Sequence, residues 1–275
     1  MALCELFELE DLRLLENTLD DLGNEVFLSQ MLRGSEQVRL LISHDETPLA
    51  MARQDENGWK AVSFLWKEPS DELIEMLPEL EIMVYSCDTE TYREAVYDHF
   101  SRRILQEVEP SPEDLPEDRA KKVSDLVWKV WDFKPGELCY DCCCGSGVGS
   151  LALSKVGLRS FAFDIDAGLL SRGMHSGRLQ TYSTALMDAT KASLFLERAP
   201  YALMLMAGDI HVGNHWIWRS IFEQVLLIAD RILVTVRTRE EADQLKAWAD
   251  AKGRDCQVFE NERDPFYDRW VCSII

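Results

Sequence analysis

Apolar positions set out the chain in two stretches of different rhythm. Between Glu5 and Leu32, Leu6, Leu9, Leu12, Leu15, Leu19, Leu22 and Val26 recur at helical spacing, which predicts one long helix with Gly34 as its stop. Strand-like runs follow at Val38 to Ser43, Leu49 to Arg53 and Trp59 to Trp66. The last two are joined by Gln54-Asp55-Glu56-Asn57-Gly58, a hairpin signal ending in Asn-Gly. A short helix near Asp71 to Leu77, a strand at Ile82 to Tyr85 and a helix from Thr89 to Gln106 complete an α+β domain over residues 1–106.

The segment 107–118, EVEPSPEDLPED, has prolines and acids but no apolar period, and is expected to be a linker. From residue 119 to 275 helix and strand patterns alternate. A helix at Arg119 to Trp131 precedes a strand ending in Asp141, and after a glycine-rich turn comes a helix closed by Gly157. A second strand, Phe161 to Phe163, ends in Asp164, and a helix begins near Leu169. A third strand is expected over Leu179 to Leu186, then Met187-Asp188-Ala189 and a helix over Thr190 to Glu197. Tyr201 to Met206 and Arg231 to Val236 are the fourth and fifth strands, with the loop Ala207 to Asn214 and a helix at His215 to Ala229 between them. A helix at Glu240 to Lys252 and closing strands at Cys256 to Glu260 and Arg269 to Ile274 end the pattern.

The stretch from Leu138 to Asp166 organises this second part. A strand runs into Asp141, glycines follow at alternate positions (Gly145, Gly147, Gly149), and Asp164 stands at the tip of the next strand. Such a unit holds an adenosine-containing ligand: glycines admit close approach, the helix start offers free N–H groups, and a carboxylate can take two ribose hydroxyls. A dinucleotide fingerprint, the plainest competitor, wants G-x-G-x-x-G, whereas the spacing here is G-x-G-x-G with an acid four residues ahead of the first glycine.

On these residues, residues 119–275 resemble the class I S-adenosylmethionine-dependent methyltransferases, and Cys144-Gly145-Ser146-Gly147 is most similar to the branch that methylates exocyclic amines of nucleic acids. The resemblance implies a Rossmann-like α/β core: a mostly parallel seven-stranded sheet with a C-terminal hairpin, preceded here by a small acidic α+β domain. It further implies S-adenosyl-L-methionine as cofactor, bound by Asp141, Cys143, Gly145, Ser146, Gly147, Gly149, Asp164, Ile165, Asp188 and Ala189, with Asp164 on the ribose and Asp188 with Ala189 at the adenine amino group. Asp188 also reads as a helix N-cap. Trp128 and Trp131, on the helix before the first strand, read either as pocket border or as core.

Charge then bears on the acceptor. The chain has 275 residues and a formal net charge of −20, and residues 1–118 hold 9 Lys+Arg against 29 Asp+Glu while residues 119–275 hold 20 of each. Nucleic-acid affinity comes mostly from Lys and Arg neutralising phosphates, so the first part is a poor platform for it. Only Lys121, Lys122, Lys129 and Lys134 cluster ahead of the glycine turn. No apolar run is long enough to span a bilayer, and no signal-peptide pattern opens the chain, so a cytoplasmic protein is expected. Eight cysteines, four of them at 139, 142, 143 and 144, are too close-set for a disulfide framework and read as small apolar packing rather than as a metal site.

The family's acceptor segment follows the fourth strand, where amine methylators carry Asn or Asp, two prolines and an aromatic. This chain has Ala207-Gly208-Asp209-Ile210-His211 instead, and Asp264-Pro265-Phe266-Tyr267, which mimics that motif, falls in the closing hairpin turn. Asp209 and His211 are the candidate proton acceptors, and His211 with His215 has the spacing of two metal ligands but lacks a third, so no metal is expected. The expectation is therefore a methyltransferase acting on a small molecule or protein. A nucleic-acid methyltransferase and a non-catalytic cofactor-binding protein are the alternatives.

Overall fold

A computed structural model of the chain describes residues 1–31 and 37–275. It divides into two compact units, Met1–Arg103 and Ile104–Ile275. The first unit is built on a five-stranded mixed sheet. Its elements are β1 (Arg13–Leu14), α1 (Glu25–Met31), β2 (Gln37–Ile42), β3 (Pro48–Asp55), β4 (Gly58–Ser63), α2 (Asp71–Met76), β5 (Glu81–Ser86) and most of α3 (Thr89–Glu107), with the sheet order β1-β4-β3-β2-β5. β3 and β4 form the expected hairpin, with Asp55 opposite Gly58 and the Asp55 carboxylate accepting from Asn57 N. One face of the sheet packs Val38, Met51 and Val62 against Leu28 and Met31 of α1 and Leu73 of α2.

The long first helix is not formed. Leu3–Phe7 and Leu19–Gly23 are short 3₁₀ turns, β1 lies between them, and only α1 is helical. Glu8 ends the first turn in the left-handed region, at φ 53°. Asp21 Oδ2 accepts from Asn17 N and Thr18 N, so its side chain competes for the backbone groups that a continuous helix would use. Leu6, Leu12, Leu15, Leu19 and Leu22 are still buried, because a spacing of three also suits a chain that folds back on a sheet. The expected end at Leu32 and stop at Gly34 lie outside the described residues.

The second unit contains α4 (Arg119–Val130), β6 (Leu138–Cys142), α5 (Val148–Val156), β7 (Arg159–Asp164), α6 (Ala167–His175), β8 (Thr184–Leu186), α7 (Ala192–Phe195), β9 (Ala199–Met204), α8 (His215–Ile228), β10 (Ala229–Val236), α9 (Arg239–Ala251), β11 (Cys256–Glu260) and β12 (Trp270–Ile274). They make a seven-stranded sheet of order β11-β12-β10-β9-β6-β7-β8, parallel from β10 to β8 and antiparallel at the β11–β12 hairpin. This is the expected Rossmann-like α/β core, a mostly parallel seven-stranded sheet with a C-terminal hairpin. The strand order reverses between β6 and β9, so the C-terminal ends of these strands flank the switch point where α/β sheets bind ligands.

Helices α4 and α5 cover one face: Val123, Leu126, Val127 and Trp131 pack with Ala152, Leu153 and Val156 over Tyr201, Leu203 and Leu233. Trp131 is thus core, its ring 4.9 Å from that of Tyr201, while Trp128 is exposed and lies 4.7 Å from Phe133. On the β7 side, Ile104 packs with Ala162, Leu170, Met174 and Leu179.

Two expectations are corrected here. The third strand is only Thr184–Leu186, because Leu179 is spent elsewhere: a Cβ on Gly147 or Gly173 would lie 2.5 Å from its side chain, so it wedges between the glycine turn and α6. The acidic proline segment, expected as a linker, runs along the second unit, and the division falls ahead of it. Ser111 N donates to Gly168 O (3.0 Å), Arg172 Nε to Ser111 O (2.8 Å) and Ser171 Oγ to Val108 O (2.7 Å). Composition gave no sign of this, since each partner lies some sixty residues away.

Candidate functional site

The switch point is lined by the turn Cys142–Gly147, whose backbone takes conformations that few side chains tolerate. Cys143 and Gly145 both have φ 53°, and Gly147, at φ 81°, is the residue before the first turn of α5. Asp141 closes this turn from below. It is buried, and its Oδ2 accepts from Ser150 N (2.6 Å) and Ser150 Oγ (2.8 Å), tying the end of β6 to the first turn of α5. Gly149 is required by that contact, as a Cβ there would lie 2.4 Å from Asp141 Oδ1. Burial pushes the Asp141 carboxyl up to about 7 against the pull of the Ser150 hydrogen bonds. Ser150→Ala removes one of the two donors and is expected to lower the unfolding free energy by about 1 kcal/mol in denaturant titrations.

Asp164, at the tip of β7, is half-buried and holds the turn from the other side: Oδ2 accepts from Gly145 N (2.7 Å) and Oδ1 from Asp166 N (2.9 Å). Burial raises its carboxyl, and the two N–H groups partly offset this. The next residue, Ile165, is 71% exposed. Asp166 has another task, capping α6 through Leu169 N (3.0 Å). At the tip of β8, Asp188 Oδ1 accepts from Thr190 N (2.9 Å) and Thr190 Oγ1 (2.8 Å), so it caps the turn Ala189–Lys191 while Oδ2 takes no part in the cap. Ala189 is buried behind it.

The candidate residues of the three strand tips converge. Burial, then the carboxylates of Asp164, Asp141 and Asp188, push the Cys143 thiol up to about 12, so one thiol feels all three acids. A thiol so placed stays protonated and is a wall, not a nucleophile. Cys139, Cys142 and Cys144 are likewise held protonated by burial, and all eight cysteines are free. Among the described residues, no three His, Cys, Asp or Glu side chains are grouped to hold a metal ion.

Several contributors escaped the sequence. Ser146 is buried under Glu113, which also pairs with Arg178; burial would raise the Glu113 carboxyl, but these two partners hold it low. A second buried network joins the start of α4 to the tip of β9. Arg119 Nε donates to Asp268 Oδ2 (3.3 Å), Thr235 Oγ1 to Asp268 Oδ1 (2.6 Å), and Met206 N to Thr235 Oγ1 (2.8 Å). Asp264-Pro265-Phe266-Tyr267 forms a hairpin turn, with Asp264 Oδ1 accepting from Phe266 N and Tyr267 N, and it lies at the same sheet edge because Trp270 pairs with Val236.

Beyond β9, the loop at Asp209 is fixed by its backbone. Ile210 N donates to Glu241 Oε1 (3.0 Å) and Asn214 Nδ2 to Asp209 O (2.7 Å), while Gly208 packs on the Trp218 ring. The Asp209 side chain is exposed. His211 Nδ1 accepts from Gly213 N (3.0 Å), so its neutral ring carries the proton on Nε2 and keeps no free lone pair for base catalysis. His215 is the reverse: its Nδ1 donates to Val212 O (2.9 Å), leaving Nε2 as a free acceptor. Helix α8 begins only at His215, so the two histidines do not share a helical face.

No family model matches the chain, and no curated protein matches it by sequence. Solved structures similar to it include a putative RNA methyltransferase from Pyrococcus horikoshii, at 14% identity over 65% of this chain and 94% of that one, with a TM-score of 0.45. Another is magnesium protoporphyrin IX methyltransferase from Synechocystis PCC 6803 with bound S-adenosylmethionine (16%, 68% and 97%, TM-score 0.47). TrmN from Thermus thermophilus is a third (17%, 57% and 53%, TM-score 0.42).

Proposed function

We propose that the second unit binds S-adenosyl-L-methionine and transfers its methyl group to a small-molecule or protein acceptor. The observation that carries this reading is the glycine turn at the switch point of the sheet, held on one side by Asp141 through Ser150 and on the other by Asp164 through Gly145 N. The residues fit the cofactor. Asp164 offers a half-buried carboxylate for the ribose hydroxyls, exposed Ile165 an apolar face for the adenine, and Asp188 Oδ2 with Ala189 an edge for its amino group. Asp141, Ser146 and the glycines at 145, 147 and 149 border the methionine end.

When bound, the cofactor supplies a methyl group on a sulfonium, whose leaving thioether is neutral and stable. What remains for the chain is to orient the acceptor and receive its proton. The Arg119–Asp268–Thr235 network fixes Met206 and Ala207 at the tip of β9, and Asp209 and His215 Nε2 are the groups beyond it able to take a proton. His211 is dropped from that role by its tautomer.

Charge supports an acceptor other than nucleic acid. Lys121 pairs with Asp125 and Lys122 with Asp118, so two of the four lysines ahead of the glycine turn already face a carboxylate. Structured RNA is expected to bind no tighter than micromolar at physiological salt in a filter or polarisation titration. Sub-micromolar affinity lost on replacing those lysines would reinstate a nucleic-acid acceptor.

Two measurements test the reading. Asp164→Ala should weaken S-adenosylmethionine binding to the full chain by about 2 kcal/mol in calorimetry, roughly thirtyfold, with a smaller loss for Asp166→Ala. Equal affinities for Asp164→Ala and wild type, or tight NAD binding with none for S-adenosylmethionine, would end it. Incubation with labelled cofactor and fractionated cell extract should then transfer label to one fraction.

A further inference from the structure

The first unit carries a cavity that the methyltransferase reading does not use. It measures about 590 Å³ and lies on the α2 face of the five-stranded sheet, where Leu40, Met51 and Phe64 form the floor and Leu73, Ile74 and Leu77 the roof. That volume falls within the range of small-molecule sites, and so does the make-up of the wall, mostly apolar with a few polar groups. Ile74 is half exposed although apolar, as is Val84, the strand neighbour of Leu40, so the apolar surface continues outward.

One polar group in the wall lacks a partner. Lys67 lines the cavity, and its Nζ is buried without a hydrogen bond. A buried ammonium so placed is costly unless an anion reaches it, and its flexible stem lets it turn toward one. The acid that interacts with it through space, Glu16, does not bond it: Glu16 Oε1 accepts from Ser63 N (3.0 Å), and Oε2 has no partner. The two acids of the wall, Glu68 and Asp71, are exposed and solvated. The cavity wall is therefore mostly apolar, and the Lys67 ammonium stands behind it without a hydrogen bond, with Glu16 acting on it only through space.

We propose that this cavity binds an apolar monocarboxylate, its hydrocarbon body on Leu40, Met51, Leu73 and Ile74 and its carboxylate on Lys67 Nζ. The class is set by those two features together, an apolar volume of small-molecule size and one ammonium. A dianion would leave a charge unmatched, and a neutral hydrocarbon would leave the ammonium unmatched. The surrounding unit is acidic, with 9 Lys+Arg against 23 Asp+Glu over residues 1–103, so long-range repulsion opposes the ligand and salt should strengthen its binding. The site stands independently of the methyl-transfer reading.

The test is calorimetry of the full chain with decanoate and with decanol. Decanoate is expected to bind saturably with one site, more tightly at 300 mM than at 30 mM salt, and at least about tenfold more tightly than decanol. Lys67→Met keeps the stem and removes the charge; it should cost decanoate about tenfold and leave decanol unchanged. Ile74→Trp should block both, with S-adenosylmethionine binding as the check that the chain remains folded. Glu16→Gln should not weaken decanoate. No saturable binding, equal binding of acid and alcohol, or equal losses in Lys67→Met and Glu16→Gln would overturn the proposal.

Discussion

Asp141→Asn is expected to stabilise the protein at pH 8 while weakening its grip on the cofactor. Burial holds the Asp141 carboxyl at about 7, against an ordinary value of 3.8. The folded state therefore keeps a proton that the unfolded chain releases. The stabilisation from that proton is complete below the unfolded value and is lost as pH rises through 7. At 1.36 kcal/mol per unit the loss is about 4 kcal/mol, a large share of a domain's stability. Asn cannot ionise, yet its carbonyl can still accept from Ser150 N and Oγ, so the difference between variant and wild type should grow from pH 4 to pH 8 and then level off. Urea melts at several pH values read this directly. The same variant should bind S-adenosylmethionine less well near neutral pH, because a cofactor carrying an ammonium favours the ionised acid. A pH-independent difference would show that Asp141 does not titrate in that window. Stability given up for a charge at the binding turn is a common trade at functional sites.

That turn was also the most legible part of the sequence, for a physical reason. Gly147 and Gly149 stand where a side chain would strike Leu179 and Asp141, so the glycines record contacts that no other residue permits. Asp164 was placed by the strand that ends in it, since a strand tip fixes where its last side chain stands, whereas Asp188 lies two residues beyond β8 as the cap of the following turn. Illegible were the contacts whose partners are distant in sequence: Glu113 with Ser146 and Arg178, and Arg119 with Asp268, 149 positions apart. Their residues are ordinary polar types, and nothing local marks them. His211 and His215 illustrate a third limit. Their spacing was plain, but which ring nitrogen is free depends on a turn that places Gly213 N against one ring and Val212 O against the other. The first helix failed through an ambiguity of period, because leucines every third residue fit a helix and equally a chain folded over a sheet once Asn17, Thr18 and Asp21 break the backbone ladder.

In the first unit, Glu16→Gln should likewise raise stability at alkaline pH, by about 3 kcal/mol. Glu16 follows β1 and is buried at the end of β4, where its Oε1 accepts from Ser63 N. Burial lifts its carboxyl from 4.5 to about 7; the Ser63 hydrogen bond opposes that shift, Asp21 adds to it and Lys67 subtracts from it. Tyr92, wholly buried nearby, stays a neutral phenol, since burial first, and Glu16 among its neighbours, drive its hydroxyl well above the usual phenol range. Here too the folded state is the better proton acceptor, so stability is held below about pH 4.5 and declines through 7. Gln keeps the acceptor for Ser63 N and removes the ionisation. Its advantage over wild type should be small at pH 5, grow through neutrality and be full near pH 8, as read by thermal or urea unfolding. Glu16 and Asp141 belong to different compact units, and their effects should add in the double variant. An advantage already complete at pH 5 would mean that Glu16 is ionised there and that its burial is offset by a partner, with Lys67 the first suspect.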